Sequence, residues 1–349
     1  MVAKNLTIAL DCMGGDRAPQ IVIEGADIVA SKDLKIKFLF CGNEKKITPI
    51  VNNCRYLKGR FEIIHTTEFV SCHEKPSIAL RKGKNSSMRL AIDAVKEKKA
   101  DCVVSAGNTG ALMAMSKIVF RPLENINRPA IIALIPTKTG RPTAMLDLGA
   151  NVEADSNTLF QFAVMGKVFA NAVLKIKNPK IGVLNVGSED LKGHVGVQEI
   201  ASILKESELK NSFHGFVEGD DIMSGKVDVI VSDGFTGNIA LKAIEGAAKL
   251  VASKVKEGFN SNILSMIGGL FAGCAIKKHT KGLDPRFSNG ALFIGLNGIT
   301  VKSHGSTDRI GFANAIEVSI SLVKDQINEK IAKELKDLGK VIKNNKKIN

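Results

Sequence analysis

The feature that most constrains this chain is a unit that recurs along it: a short run rich in Val, Ile and Leu, a turn of Gly, Asn, Asp or Ser, and then a helical pattern. The runs are LTIALD (6–11), KIKFLFC (35–41), FEIIHT (61–66), DCVVSAG (101–107), AIIALIP (130–136), KIGVLNVG (180–187) and VDVIVSDG (227–234). Continuous apolar runs, as opposed to alternating ones, suit strands buried on both faces. Helical patterns over 20–31, 87–98, 156–174, 195–205 and 238–255 interleave with them. That alternation predicts right-handed βαβ units and an α/β fold with a doubly wound, mostly parallel sheet. At 349 residues the chain is expected to form one α/β domain over 1–349, with room for two intimate lobes.

Ligands of such sheets bind at the carboxyl ends of the strands, so the turns there carry the information. They read 11–16, 105–110, 147–151, 185–190 and 232–238, and each mixes glycine with small hydrogen-bonding side chains. Glycine lets backbone approach a ligand closely, and the free amides of a following helix favour an anion. One such turn is usually no more than a helix cap, but five at equivalent positions suggest a shared anion site. The chain has no G-x-G, no G-x-x-x-x-G-K-[ST], no H-E-x-x-H and no G-x-S-x-G. Nicotinamide enzymes, P-loop kinases, zinc peptidases and ordinary serine hydrolases all lose ground, and no cofactor is expected.

The formal charge of +14 calls for anionic company. With aromatics at 5%, no Trp and one Tyr, stacking platforms for nucleic acid are not expected. Part of the excess lies after residue 324, in what reads as a solvated terminal helix with a lysine-rich tail over 336–349. Six scattered cysteines without a C-x-x-C pair read as reduced thiols, with no metal site. The first residues run straight into a strand and lack a signal peptide's apolar core, which points to the cytoplasm. The apolar helical stretch 263–276 is too short to span a bilayer.

Several ordered segments carry a resemblance: ALDCMGGDRAP, KNSSMRLAIDAVKEKKADCVVSAGNTGALMA, RPAIIALIPT, LDLGANVEA, IGVLNVGSEDLKGH, VDVIVSDGFTGNIALKAIEG and GLNGITVKSHGSTD. Together they resemble the acyl-carrier-protein:phosphate acyltransferase family, PlsX, over nearly the whole chain. The resemblance implies a fold like that of phosphotransacetylase and isopropylmalate dehydrogenase, a homodimer, and transfer of a fatty acyl group from acyl carrier protein thioester to inorganic phosphate. The acyl phosphate product would feed phospholipid synthesis. Two positions depart from the family: Arg17 stands where it usually has His, and Asn289-Gly290-Ala291-Leu292 where it has Gly-Gly-Ala-Pro. Arg17 cannot be a general base, though its guanidinium could attract phosphate or the acidic carrier. The second departure alters the shape of a loop.

Phosphate attack on a thioester needs an oriented phosphate, stabilisation of the oxyanion and departure of a thiolate. Phosphate is expected among Gly14, Gly15 and Asp16; Gly107, Asn108 and Thr109; Asn151; Asp233, Gly234, Thr236 and Asn238; and Gly305 and Ser306. Asp16 and Asp233 would shape the site and not face the anion. The electrophilic role falls to Lys192, before Gly193, and to His304, which could donate to the oxyanion or protonate the thiolate. Either could equally be a solvated or structural residue. The stretch 256–282 reads as an amphipathic helical excursion, apolar at Ile263, Leu264, Met266, Ile267, Leu270, Phe271 and Ile276 and basic at Lys277, Lys278 and Lys281. It suits an anionic membrane, next to the membrane glycerol-3-phosphate acyltransferase that would take the product, or a contact with the twin subunit. Arg81, Lys82, Lys84 and Arg89 are the candidates for docking the carrier. Two rivals remain: a metal- and NAD-dependent dehydrogenase of related fold, and a basic membrane-bound scaffold without catalysis.

Overall fold

The computed structural model describes residues 5–189, 191–280 and 289–345. Positions 281–282 of the expected excursion, Lys281 included, positions 346–349 of the expected lysine-rich tail, and the side chains of Cys274, Ile276, Lys277 and Lys278 lie outside the described residues.

Among the described residues eleven strands build the sheet. In chain order they are β1 (Leu6–Asp11), β2 (Ile36–Gly42), β3 (Phe61–His65), β4 (Cys102–Ser105), β5 (Ala130–Ile135), β6 (Thr143–Leu146), β7 (Ile181–Leu184), β8 (Phe213–Val217), β9 (Val229–Val231), β10 (Ala291–Ile294) and β11 (Ile299–Lys302). Their order across the sheet is β3-β2-β1-β4-β11-β10-β5-β6-β9-β7-β8. Two parallel halves, β3-β2-β1-β4-β11 and β6-β9-β7-β8, flank β10 and β5, which pair antiparallel with each other and with β11 and β6.

Helices cover both faces, which is why the strands are apolar throughout. Along β1, Ile8 and Leu10 pack on one face with Ile23 and Phe312, while Ala9 packs on the other with Met88 and Ile92. The seven expected strands and five expected helices are all present, within a few residues. The helix expected from 238 begins earlier, as Gly234–Phe259, because the Asp233 carboxylate caps it by accepting from the Thr236 amide at 2.8 Å. The terminal helix is not simply solvated. Ile327–Asn345 turns Ile327, Ile331 and Leu335, spaced four apart, into the core beside the helix Ser156–Val173, and Lys167 meets Glu334 at 2.6 Å.

The helix Gly234–Phe259 buries only Gly234 and Gly237 fully, and its far half stands away from the body. Ile263–Thr280 follows it and touches it near the junction. Ser265, Gly269 and Ala272 are half-buried, with Gly269 against Phe259. The large residues Ile263, Leu264, Met266, Ile267, Leu270 and Phe271 point outward, Phe271 being 85% exposed. No helix of the described residues is long and apolar enough to cross a membrane.

Candidate active site

At the carboxyl edge of the first half, three turns are stacked with almost no space between them. Asp11 ends β1 fully buried and accepts hydrogen bonds from Ser87 Oγ (2.6 Å), Ser105 Oγ (2.7 Å) and the Met13 amide (3.3 Å). Burial pushes its carboxyl pKa up, and the two serines pull it back. A Cβ on Gly14 would collide with the Asp11 carboxylate and stand 2.7 Å from the Gly107 amide nitrogen, so only glycine lets the turns after β1 and β4 meet. Gly15, at φ +103°, brings the chain against Ala106 and Gly305, and the Asp16 amide donates to the Gly305 carbonyl at 3.0 Å.

The turn after β11 closes this rim. Buried Asn289 clamps it, donating to Ser303 Oγ (2.8 Å) and the Gly311 carbonyl (2.8 Å) while its Oδ1 accepts the His304 amide (2.9 Å). His304 itself is half-exposed. Its Nδ1 accepts from the Ser306 amide at 3.4 Å and lies 3.1 Å from Ser306 Oγ, which leaves the proton on Nε2. Burial lowers its pKa; Glu245 opposes this, while Lys302, Lys242 and Lys249 add to it. Below the ordinary value of 6.5 the imidazole is neutral at pH 7. Beside it, Lys302 Nζ reaches the carbonyls of Ala106 (3.4 Å) and Ser303. Burial brings the pKa of Lys302 down to about 8, with Lys242 helping and Cys72, Asp11 and Asp16 opposing.

The second half repeats the device. Asp147 follows β6 fully buried and takes the amides of Ile131 (2.9 Å), Gly149 (3.2 Å), Ala150 (3.0 Å) and Asn151 (2.8 Å), and Asn151 Nδ2 (2.9 Å). Gly234 packs 2.8 Å, by a notional Cβ, from the Asp147 carboxylate, and Gly237 packs against the Asp147 carbonyl. Asn238 lies exposed against Gly149. Asn151 also donates to the Pro129 carbonyl at 2.8 Å, so its amide is spent within the fold. Lys192 stands exposed on the loop after β7, its ammonium 2.8 Å from Glu189, which holds its pKa above the ordinary value. On the loops and helix starts of this half Val152, Val186, Leu191, Val195, Phe235 and Ile239 are exposed, Leu191 at 90%.

The expected residues therefore fall into two groups. Gly14, Gly15, Asp16, Gly107, His304, Gly305 and Ser306 converge on the first half. Asn151, Asp233, Gly234, Thr236, Asn238 and Lys192 belong to the second. Lys192 and His304 follow strands separated by β10, β5, β6 and β9, and the antiparallel pairings of β10 and β5 turn the carboxyl ends of the two halves to opposite edges of the sheet. Asn108 is both cap and tether: its Oδ1 accepts the Ala111 amide (3.0 Å), and its Nδ2 holds the carbonyls of Cys72 and Glu74 (2.9 Å each). Thr109 is exposed on the next helix turn. Arg17 donates to the carbonyls of Ser306 (3.1 Å) and Thr307 (2.8 Å), tying first turn to last. The reading of residues missed Lys302 and Asn289. Lys302 sits inside an apolar run, and only strand pairing shows that it faces the rim.

A family model described as fatty acid synthesis protein matches residues 6–330. The chain belongs to this family. Among its relatives, the phosphate acyltransferase of Rhodospirillum centenum is 52% identical over 334 residues, covering 96% of this chain and 94% of that one. The phosphate acyltransferase of Paramagnetospirillum magneticum is 52% identical over 329 residues, covering 94% and 93%. The chain is accordingly an acyltransferase. Its fold is shared by a phosphotransacetylase from Streptococcus pyogenes (TM-score 0.60, 16% identity, 93% of this chain and 95% of that one). A branched-chain phosphotransacylase from Enterococcus faecalis shares it too (TM-score 0.55, 14% identity, 91% and 99%). The doubly wound, mostly parallel architecture read from the sequence holds, with the antiparallel β10 and β5 as an addition.

Proposed function

We propose that this acyltransferase moves a fatty acyl group from an acyl carrier protein thioester to inorganic phosphate, releasing acyl phosphate for phospholipid synthesis. One observation carries the reading: at the carboxyl edge of the first half, the glycine turns after β1, β4 and β11 gather backbone amides beside Lys302 and His304. That grouping suits a small oxoanion.

In the reaction a phosphate oxygen bonds the thioester carbonyl carbon. The carbon–sulfur bond then breaks, and the proton of hydrogen phosphate leaves with the thiol. Gly14, Gly15, Gly107, Gly305 and Ser306 line the phosphate side. The Nε2–H of neutral His304 donates to the oxyanion of the tetrahedral intermediate. On the other half of the sheet, exposed Val152, Leu191, Phe235 and Ile239 offer apolar surface to the donor, with Gly234, Thr236 and Asn238 shaping it and Lys192 drawing the anionic donor to it. Exposed Arg81, Lys82 and Lys84, on the segment tethered by Asn108, face the acidic carrier. Arg89 pairs with Asp93 at 2.9 Å and is the least available of the four. The outward residues of the helical excursion, Ile263 to Phe271, support a homodimer contact or a peripheral seat on an anionic membrane, beside a membrane acyltransferase that takes the product.

Purified protein incubated with acyl carrier protein thioester is expected to release free thiol and acyl phosphate only when phosphate is present. Thiol release indifferent to phosphate would mean hydrolysis and sink the reading. In the same assay His304→Ala is expected to lower kcat by about 100-fold with little change in KM, as for loss of an oxyanion donor. Lys192→Ala is expected to act mainly on KM for the thioester.

A further inference from the structure

We infer that Lys302 holds the acceptor phosphate, in a subsite closed by the turns at Gly14–Gly15, Ala106–Gly107 and His304–Gly305. The inference rests on the reaction proposed above and narrows it to one half of the sheet and one ammonium. Pairing fixes where Lys302 points. On β11, Ile299 and Val301 pack into one core layer, so Thr300 and Lys302 face the other, where Thr300 Oγ1 meets Ser116 Oγ at 3.2 Å. Lys302 is the last residue of the strand and curls over the rim onto the Ala106 and Ser303 carbonyls.

An ammonium has three donors and no acceptor, and these two carbonyls leave donor capacity over. No carboxylate of the described residues lies within 4 Å of it. Asp11, the buried carboxylate of this rim, is engaged by Ser87 and Ser105. A partly buried lysine that served the fold alone would be expected to carry a carboxylate partner, because removing an unpaired charge from water is costly. Among the described residues the acidic groups around Lys302, Asp11 and Asp16, act from beyond ion-pair distance, and the ammonium lies against the turn at Ala106–Gly107 beside the His304 turn, where backbone can approach an oxoanion. The groups facing Lys302 come from every neighbouring element: Asp11 from β1, Asp16 from the following turn, Cys72 from the tethered loop, Lys242 from the helix over the rim, and His304 beside it. Lys192 offers the contrast, exposed and already paired with Glu189.

During transfer Lys302 keeps its proton. The phosphate oxygen forms the new bond to carbon, sulfur departs, and the proton of hydrogen phosphate goes to the thiol. In the free protein the ammonium is lost as pH rises through about 8, so affinity for phosphate should fall above that pH.

The experiment compares wild type, Lys302→Arg and Lys302→Met by steady-state kinetics from pH 6.5 to 9.5, with calorimetric titration of each by inorganic phosphate. For Lys302→Met, kcat/KM for phosphate is expected to drop about 100- to 1000-fold, as when a charge-stabilising donor is removed, while KM for the thioester holds. Phosphate heat should vanish with it. Wild-type kcat/KM for phosphate should decline above pH 8, and Lys302→Arg, which keeps its charge, should lose that decline. Met fills the same space without a charge, so a wild-type melting temperature is expected; the arginine profile needs no such assumption. Wild-type phosphate kinetics in Lys302→Met, or the same alkaline decline in wild type and Lys302→Arg, would overturn the assignment. A wild type that binds phosphate through Lys302 yet makes no acyl phosphate would instead overturn the reaction and leave the subsite standing.

Discussion

Asp147→Ala is expected to destabilise the protein by about 5 kcal/mol, a loss comparable with the whole stability of many domains. The side chain is wholly buried and gathers the amides of Ile131, Gly149, Ala150 and Asn151 together with Asn151 Nδ2. Alanine offers none of them an acceptor, and each stranded buried donor costs about 1–3 kcal/mol. Relief of the burial that pushes the Asp147 carboxyl pKa upward offsets part of this sum. Asp11→Ala should cost less, since the two serine hydroxyls it frees can rotate towards other acceptors. Urea unfolding of both variants checks the ranking. An Asp147→Ala midpoint equal to wild type would refute the idea that this carboxylate organises the carboxyl edge of the second half.

Gly237→Ala should lower stability by about 3 kcal/mol or more, against the intrinsic preference of helices for alanine of about 1 kcal/mol. Gly237 lies in the first turns of Gly234–Phe259, where a methyl group would penetrate the Asp147 carbonyl oxygen and stand 2.6 Å from Ser232 Oγ. The carbonyl is backbone and cannot swing aside, so the helix must lift from the turn after β6. Gly246, in the same helix, has nothing within 4 Å of a notional Cβ. Gly246→Ala should therefore stabilise by up to about 1 kcal/mol, and opposite signs in two thermal melts are the decisive result. Equal effects would mean that helix propensity and not close approach governs both sites.

The parallel halves were legible because strands covered on both faces must be apolar without interruption, as in LTIALD and KIKFLFC. The strands that escaped notice are four or five residues long: TAML, FHGFV, ALFI and ITVK. At that length a run cannot be told from part of a helix or loop. The glycine turns could be seen in outline, since Asp11, Asp147 and Asp233 each sit at a strand end ahead of glycine. Their division into two clusters could not, because sheet order sets which turns are neighbours and spacing along the chain does not record it. Lys302 illustrates the gap. Its position in ITVKSHG suggests a strand end, whereas its meaning comes from pairing with β4, which sets it over Ala106. Asn289 was noticed only as a departure from a family pattern, and its clamp on the His304 turn joins residues 15 apart.

The middle of the sheet has a bearing on how the chain acquires its structure. β4 and β5 come from residues 102–105 and 130–135, yet the strands wedged between them are residues 291–294 and 299–302. During synthesis, both early strands present an unpaired edge until about half the polypeptide has followed them off the ribosome. Such late closure of distant segments makes for slow, high-contact-order folding. The nascent chain is thus at its most prone to strand-edge association just before the β10–β11 hairpin emerges.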